Sequence, residues 1–285
     1  MTIAILGTGL LGAGMVRNLL AKGEAVRVWN RTADKAEALA ADGAEVASSP
    51  ADAVRGARRV HLVLTADDAV DEVLGACAPA LEPGCPVYDH STNLPDRVAA
   101  RHERSRAAGI AYFHAPVFMA PVNARDGTGL MLLSASAAEH EAALPSLQAM
   151  TGKIWHVGER PDLAAVYKLI GNALLVSISG AFGDLFALGA NQGLDPAQVL
   201  QIFDHWRPGA MLPAFGQRVA ARGTNPVSWE LVTAAKDVRL MVEAAGGADG
   251  LVVLPALAVA MQAALAEGHG QRDYAIFAWP RGRQG

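Results

Sequence analysis

The chain has 285 residues, 52% of them hydrophobic and 18% charged. At roughly 150 residues per domain this is about two domains, and it excludes both a disordered chain and a small scaffold held by staples. The 24 basic and 28 acidic side chains leave a net charge of −4, so no basic excess exists to neutralise a nucleic acid or hold an anionic membrane.

Ile3-Ala4-Ile5-Leu6 reads as a first strand rather than a secretory signal, since no basic segment precedes it. Gly7-Thr8-Gly9-Leu10-Leu11-Gly12 follows it directly and opens a helical segment through Met15 and Leu19. Glycine serves three ends here: a tight turn at Gly7, close approach of backbone to a pyrophosphate at Gly9, and close packing of helix on strand at Gly12. The helix N-terminus then faces the diphosphate with unpaired N–H groups. A second strand, Ala25 to Trp29, ends in Asn30-Arg31-Thr32. An NAD site places a carboxylate at this point for the ribose 2′-hydroxyl. None is present, and Arg31 offers a planar fork for a 2′-phosphate, with Lys35 a turn further on. The pattern predicts NADP(H).

Further β-rich runs at 60–64, 86–89, 111–114, 130–133 and 153–157 alternate with Ala-rich helical segments, which predicts a parallel sheet with crossover helices that extends through the whole first domain. Cys77 and Cys85 match neither a CxxC pair nor a disulfide framework, so a reducing cytoplasm is expected. After Gly158-Glu159-Arg160-Pro161 the strand signals stop. The expected division is an α/β domain over 1–161 and an all-α domain over 162–285. The second domain opens on a helix of close to thirty residues that is apolar nearly all round, so either its own domain or a partner chain buries it, and a homodimer is one consequence. Asn172 and Asp184 interrupt that stretch, which favours a buried helix over a membrane span.

Tyr167-Lys168-Leu169-Ile170-Gly171-Asn172 lies near the start of this helix, with Lys168 and Asn172 on one face at i and i+4. A lysine beside an apolar helix and an oxidised nicotinamide has its pKa lowered toward the range of acid–base work. The same residue can instead snorkel to solvent. No HxxxH pair or other cluster has metal-ligand spacing, so no metal is expected.

With these motifs in order, from the glycine loop with Asn30-Arg31-Thr32 through Asp89-His90-Ser91-Thr92, Ala115-Pro116-Val117, and Lys168 with Asn172 to Lys236-Asp237, the chain resembles the β-hydroxyacid dehydrogenase family over nearly its whole length. That family includes 3-hydroxyisobutyrate dehydrogenases, glyoxylate and succinic semialdehyde reductases and, more distantly, imine reductases. The resemblance implies a Rossmann-type doubly wound sheet followed by a helical domain. It implies Lys168 as the acid–base residue, Asn172 as its orienting partner, Thr92 and Lys236 near the cofactor, and Leu64 with Thr65 on the ribose side. Substrate is then expected between Lys168 and the segment Pro116, Val117, Phe118, Met119, Ala120, with Ser91 beside it. The family's substrate segment reads Ala-Pro-Val-Ser-Gly-Gly, whose serine and amides hold a carboxylate, whereas this chain has Phe118-Met119-Ala120. Phe118 donates no hydrogen bond, so a small carboxylate is poorly provided for unless His114, His205 or Arg207 supplies a group. The expected activity is NADP-dependent hydride transfer between a small hydroxy acid or alcohol and its aldehyde or ketone. Imine reduction and a non-catalytic cofactor-bound scaffold are the alternatives.

Overall fold

The computed structural model describes residues 2–279. The chain divides into two compact units, residues 1–172 and 173–285. This division falls inside a helix, further along than the expected boundary at 161, and it places Lys168 and Asn172 in the first unit.

The first unit runs β1 (Thr2–Leu6), α1 (Leu10–Ala21), β2 (Val26–Trp29), α2 (Ala33–Glu37), β3 (Glu45–Val46), α3 (Pro50–Val54), β4 (Ala57–Leu62), α4 (Asp67–Cys77), β5 (Pro86–Asp89), α5 (Pro95–Ala107), β6 (Ala111–His114), β7 (Val117–Phe118), α6 (Pro121–Asp126), β8 (Leu130–Ser134), α7 (Ala137–Leu147), β9 (Lys153–Gly158) and the beginning of α8 (Leu163–Asn191). Six strands form a parallel sheet in the order β3-β2-β1-β4-β5-β6. The order reverses between β1 and β4, which opens a crevice at their carboxyl ends where open α/β sheets bind ligands. β1 shows why the sheet is covered on both faces. Ile3 and Ile5 join one buried cluster with Met15, Val16 and Leu19 of α1, while Ala4 and Leu6 join another with Val70, Val73 and Leu74 of α4.

The expectation of one extended sheet needs correction. β7, β8 and β9 form a separate three-stranded sheet in which β7 and β8 are antiparallel. Met131 and Leu133 of β8 pack into the same cluster as α1. Gly14 sets how close this second layer comes: a Cβ there would lie 2.8 Å from the Pro121 carbonyl oxygen and 3.0 Å from Ala124 Cβ, and Asn18 Nδ2 donates to the Arg125 carbonyl at 3.0 Å. α6 therefore rests directly on α1, just beyond the segment 117–120.

The second unit holds the rest of α8, then α9 (Pro196–Leu200), α10 (Ile202–His205), α11 (Leu212–Ala220), α12 (Leu231–Ala244) and α13 (Leu254–Ala266). It is all helical, as expected. Leu231, Ala234, Ala235 and Val238 of α12 pack on Met261 and Ala264 of α13. Asp184, interior to α8 and 2% exposed, accepts from the backbone N–H groups of Val252, Val253 and Leu254 at 2.7–2.8 Å. It caps the N-terminus of α13 from the side. Asp273, fully buried, accepts from Ser228 N, Ser228 Oγ and Arg218 Nη1 and latches the last turn to the loop before α12.

Of the two expectations for α8, burial by its own domain is not met along its whole length. Within the chain, Ile170, Leu174, Leu175 and Val176 are exposed, Val176 to 72%. Among the described residues it is the one helix long and apolar enough, by length and composition, to cross a membrane.

Candidate active site

The glycine loop is built as its sequence requires. Gly7 adopts φ +101°, and a Cβ on it would fall 2.2 Å from the Val63 carbonyl oxygen. A Cβ on Gly12 would meet the Gly7 carbonyl oxygen at 2.0 Å, whereas nothing lies within 4 Å of one built on Gly9. Two glycines thus close the turn and the third leaves space above it. Gly9 is also the N-cap of α1, and neither a side-chain cap nor an acidic residue satisfies that first turn. Free N–H groups and positive dipole therefore face open space, an arrangement that fits an anionic diphosphate.

That loop forms one end of a cleft of about 400 Å³ bordered by Trp29, Asn30, Arg31, Thr32, Lys35, Leu64 and Thr65. Arg31 and Lys35 are exposed and have no internal counter-ion among the described residues, so both remain available to a phosphate. Asn30, on the border of the cleft, also ties the loop together. Its Oδ1 accepts from Thr8 N–H at 3.0 Å and its Nδ2 donates to the Thr32 carbonyl at 2.8 Å, tying the glycine loop to the turn that carries Arg31. Thr8 is buried, and Leu10 stands exposed at the first position of α1 beside the partly buried Leu11. The sequence did not point to the opposite wall, where Pro50 of α3 and Ala69, Glu72, Val73 and Ala76 of α4 line the cleft. These residues carry no motif and meet only through crossover packing. The cradle, the cations and the cleft together fit an adenine dinucleotide.

The turn after β5 is held from beneath. Asp89, fully buried, accepts from Ser91 N at 2.9 Å, Asn93 Nδ2 at 2.7 Å and Tyr112 Oη at 2.7 Å. Thr92, in the same turn, is exposed. Ser91 is corrected from a substrate contact to a brace: it is 3% exposed, and its Oγ accepts from Leu64 N at 3.0 Å. His90 Nδ1 lies 2.6 Å from the Ala115 carbonyl oxygen and must donate to it. Its Nε2, 2.9 Å from His61 Nδ1, then accepts, and His61 Nε2 accepts from Arg59 Nε at 3.2 Å. Burial lowers the pKa of both imidazoles, which keeps the two rings neutral and the chain directional. It fixes Ala115 at the entrance to the segment 116–120.

Within that segment, Pro116 and Val117 turn their side chains into the interior, so their expected substrate contacts are corrected too. The Val117 carbonyl instead faces α8 and accepts from Lys168 Nζ at 2.7 Å. Phe118 and Met119 are partly buried and Ala120 is exposed. The first turns of α8 are anchored on the second sheet: Ala164 and Ala165 are fully buried, Ala164 N donates to Ser134 Oγ at 2.8 Å, and Tyr167 packs on Trp155 with ring centroids 4.7 Å apart. Lys168 is consequently half-buried rather than snorkelling outward, and desolvation lowers its pKa below the ordinary lysine value. Asn172 lies one turn further on and is partly exposed. His114, considered as a carboxylate partner, is buried with Nε2 against the Ser91 carbonyl at 3.0 Å. In the second unit, Lys236 lies on α12 paired with Asp237 at 2.9 Å, and His205 and Arg207 are exposed around the end of α10.

A pyrophosphate cradle at a sheet's switch point and a desolvated lysine held in the same unit define a nicotinamide-dependent oxidoreductase. Residues 2–158 match the NAD binding domain of 6-phosphogluconate dehydrogenase. The chain is 30% identical to the NAD-dependent L-serine dehydrogenase of Pseudomonas aeruginosa, over 96% of this chain and 95% of that protein. It is 29% identical to glyoxylate/succinic semialdehyde reductase 1 of Arabidopsis thaliana, over 92% and 91% of the two chains. The fold is similar to that of an imine reductase from Streptomyces aurantiacus, with a TM-score of 0.85 and 23% identity over 98% of both chains. The chain belongs to the β-hydroxyacid dehydrogenase family.

Proposed function

We propose that the chain is an NADP-dependent oxidoreductase acting on a small carbonyl compound, an aldehyde or ketone whose reduced partner is an alcohol or hydroxy acid. The observation that carries the reading is Lys168, half-buried, anchored through the Val117 carbonyl, and in one unit with the glycine loop. When bound, NADPH supplies a hydride to the carbonyl carbon. Lys168, as the ammonium, gives a proton to the carbonyl oxygen as negative charge builds there, and as the neutral amine it takes that proton back in the reverse direction. Asn172, a helical turn away, orients the same oxygen. Because a relative in the family is named for NAD, the cofactor preference rests on this chain's own turn. Arg31 pairs with the 2′-phosphate as a planar fork, Lys35 adds a second positive charge, and no carboxylate is present to receive a free 2′-hydroxyl.

Lys168 also weighs against imine reduction, since a protonated imine would bring a second cation to the ammonium. The exposed apolar stripe of α8 supports a homodimer in which a second copy covers Ile170, Leu174, Leu175 and Val176. The buried free thiols Cys77 and Cys85 accord with a reducing, cytoplasmic compartment.

The test is cofactor oxidation with NADPH and NADH against aldehydes, ketones and cyclic imines, alongside Lys168→Ala. The expected result is turnover of carbonyls with NADPH, and in Lys168→Ala a loss of kcat on the order of 10²–10⁴-fold with NADPH binding retained. Near-wild-type kcat in the variant overturns the role of Lys168. NADPH binding without turnover of any carbonyl or imine returns the chain to a cofactor-bound scaffold.

A further inference from the structure

The wall beside the Lys168 ammonium is aromatic. Nζ stands 4.4 Å from the centroid of the Phe118 ring, inside the range of cation–π attraction. The ring is seated on α8 itself: a Cβ on Gly171 would fall 2.3 Å from Phe118 Cζ, so the ring covers the glycine's Cα and no other residue type fits beneath it. Gly129 makes the matching notch for the next side chain, since a Cβ there would lie 2.8 Å from Met119 Cγ. Phe118 and Met119 are thus packed features of the site and not loose ends of a loop.

Several polar groups of the same segment are already engaged, although the Asn172 amide, a turn beyond Lys168, is partly exposed. Lys168 has three N–H donors, one spent on the Val117 carbonyl. The Ala120 N–H is taken by Asn123 Oδ1 at 2.9 Å. Ser91 Oγ is buried against Leu64 N, and the His114 Nε2 faces the Ser91 carbonyl, with burial favouring the neutral imidazole. A carboxylate brought to this wall loses its water and competes with the reacting oxygen for the same two donors, the Lys168 ammonium and the Asn172 amide. An uncharged group loses little water and gains the ring face.

We propose that Phe118 determines specificity, and that the substrate is an uncharged carbonyl compound whose aromatic or branched apolar substituent packs against the Phe118 ring. The proposal rests on Lys168 as the proton donor to that carbonyl.

Two measurements test it together. The first compares kcat/KM with NADPH for benzaldehyde and for glyoxylate in the wild type, Phe118→Ser and Phe118→Leu. The second titrates NADPH-loaded enzyme calorimetrically with benzamide and with oxamate, which requires no turnover. The wild type is expected to favour the aromatic member of each pair by tenfold or more. Phe118→Ser should lose roughly tenfold toward benzaldehyde and benzamide, in line with the loss of one aromatic pair, while gaining toward the acids. Phe118→Leu, which keeps an apolar wall, should fall between the two and guards against misfolding of the serine variant. If no aldehyde turns over but benzamide binds and weakens in Phe118→Ser, the specificity assignment stands and the proton-donor reading falls. Tighter binding of oxamate than benzamide by the wild type, no binding of either, or an unchanged ratio in Phe118→Ser overturns the proposal.

Discussion

At Lys168 the energetic cost of burying a charge and the requirements of the proposed proton transfer coincide. Removing the ammonium from water disfavours its charged form, and the Val117 carbonyl holds it in place without supplying a compensating negative charge. In the reductive direction the protonated form is needed, so kcat should fall as pH rises through a value below that of an ordinary lysine. In the oxidative direction kcat should rise through the same value, and pH profiles measured both ways check this. A limb at the ordinary lysine value or above contradicts it. Arg31 gives an independent outcome. Arg31→Ala should weaken NADPH binding by about tenfold or more, the order of one lost hydrogen bond to a charged group, and leave NADH within about twofold, read by fluorescence titration. Arg31 could be singled out in the sequence because a base stands where an acid is usual, whereas Lys168, a turn before Asn172, stood out from a snorkelling lysine only through the family resemblance. Ser91, Pro116 and Val117 were misread for another reason. Their motif places them beside the site, but which atoms face it is decided by strands several residues away, and in Val117 it is the carbonyl alone.

Whole elements are held by single buried polar side chains. Asp184 takes three successive N–H groups leading into α13, those of Val252, Val253 and Leu254. Desolvation pushes its pKa up, but those backbone donors outweigh it and leave the carboxyl below the ordinary aspartate value. A lowered folded-state pKa contributes stability that is present above the unfolded value and lost as pH falls through the folded one. Thermal melts should therefore show a loss below about pH 4 that is smaller in Asp184→Ala. At neutral pH that variant should lose about 1–3 kcal/mol, because three partly buried donors lose their acceptor. An acid limb unchanged in the variant contradicts this. The sequence marked Asp184 as an interruption in an apolar run but gave no hint of its partners, which lie on another helix. β3 and β7 escaped detection because two residues carry no periodicity, and the second sheet because strand runs do not reveal which neighbour they pair with.

At the scale of the molecule, the order of α/β unit and helical unit followed from the loss of strand signals after residue 158, whereas the fate of α8 did not. An apolar surface all round a helix is the same sequence whether its own chain or another covers it. In this chain Ile170, Leu174, Leu175 and Val176 remain open, and the homodimer proposed above would cover them. Sedimentation should give a dimer, and Leu175→Lys with Val176→Glu should shift it toward monomer while NADPH still binds to the first unit. A monomeric wild type removes the homodimer.

The pairing of Asn30 with Arg31 separates two duties that adjacent residues often share. Asn30 stitches the glycine loop to the neighbouring turn through bonds at both ends of its amide, and Arg31 projects from the finished frame without supporting it. If Arg31 selects the coenzyme as proposed, exchanging it should alter that choice while the frame that presents it stays intact.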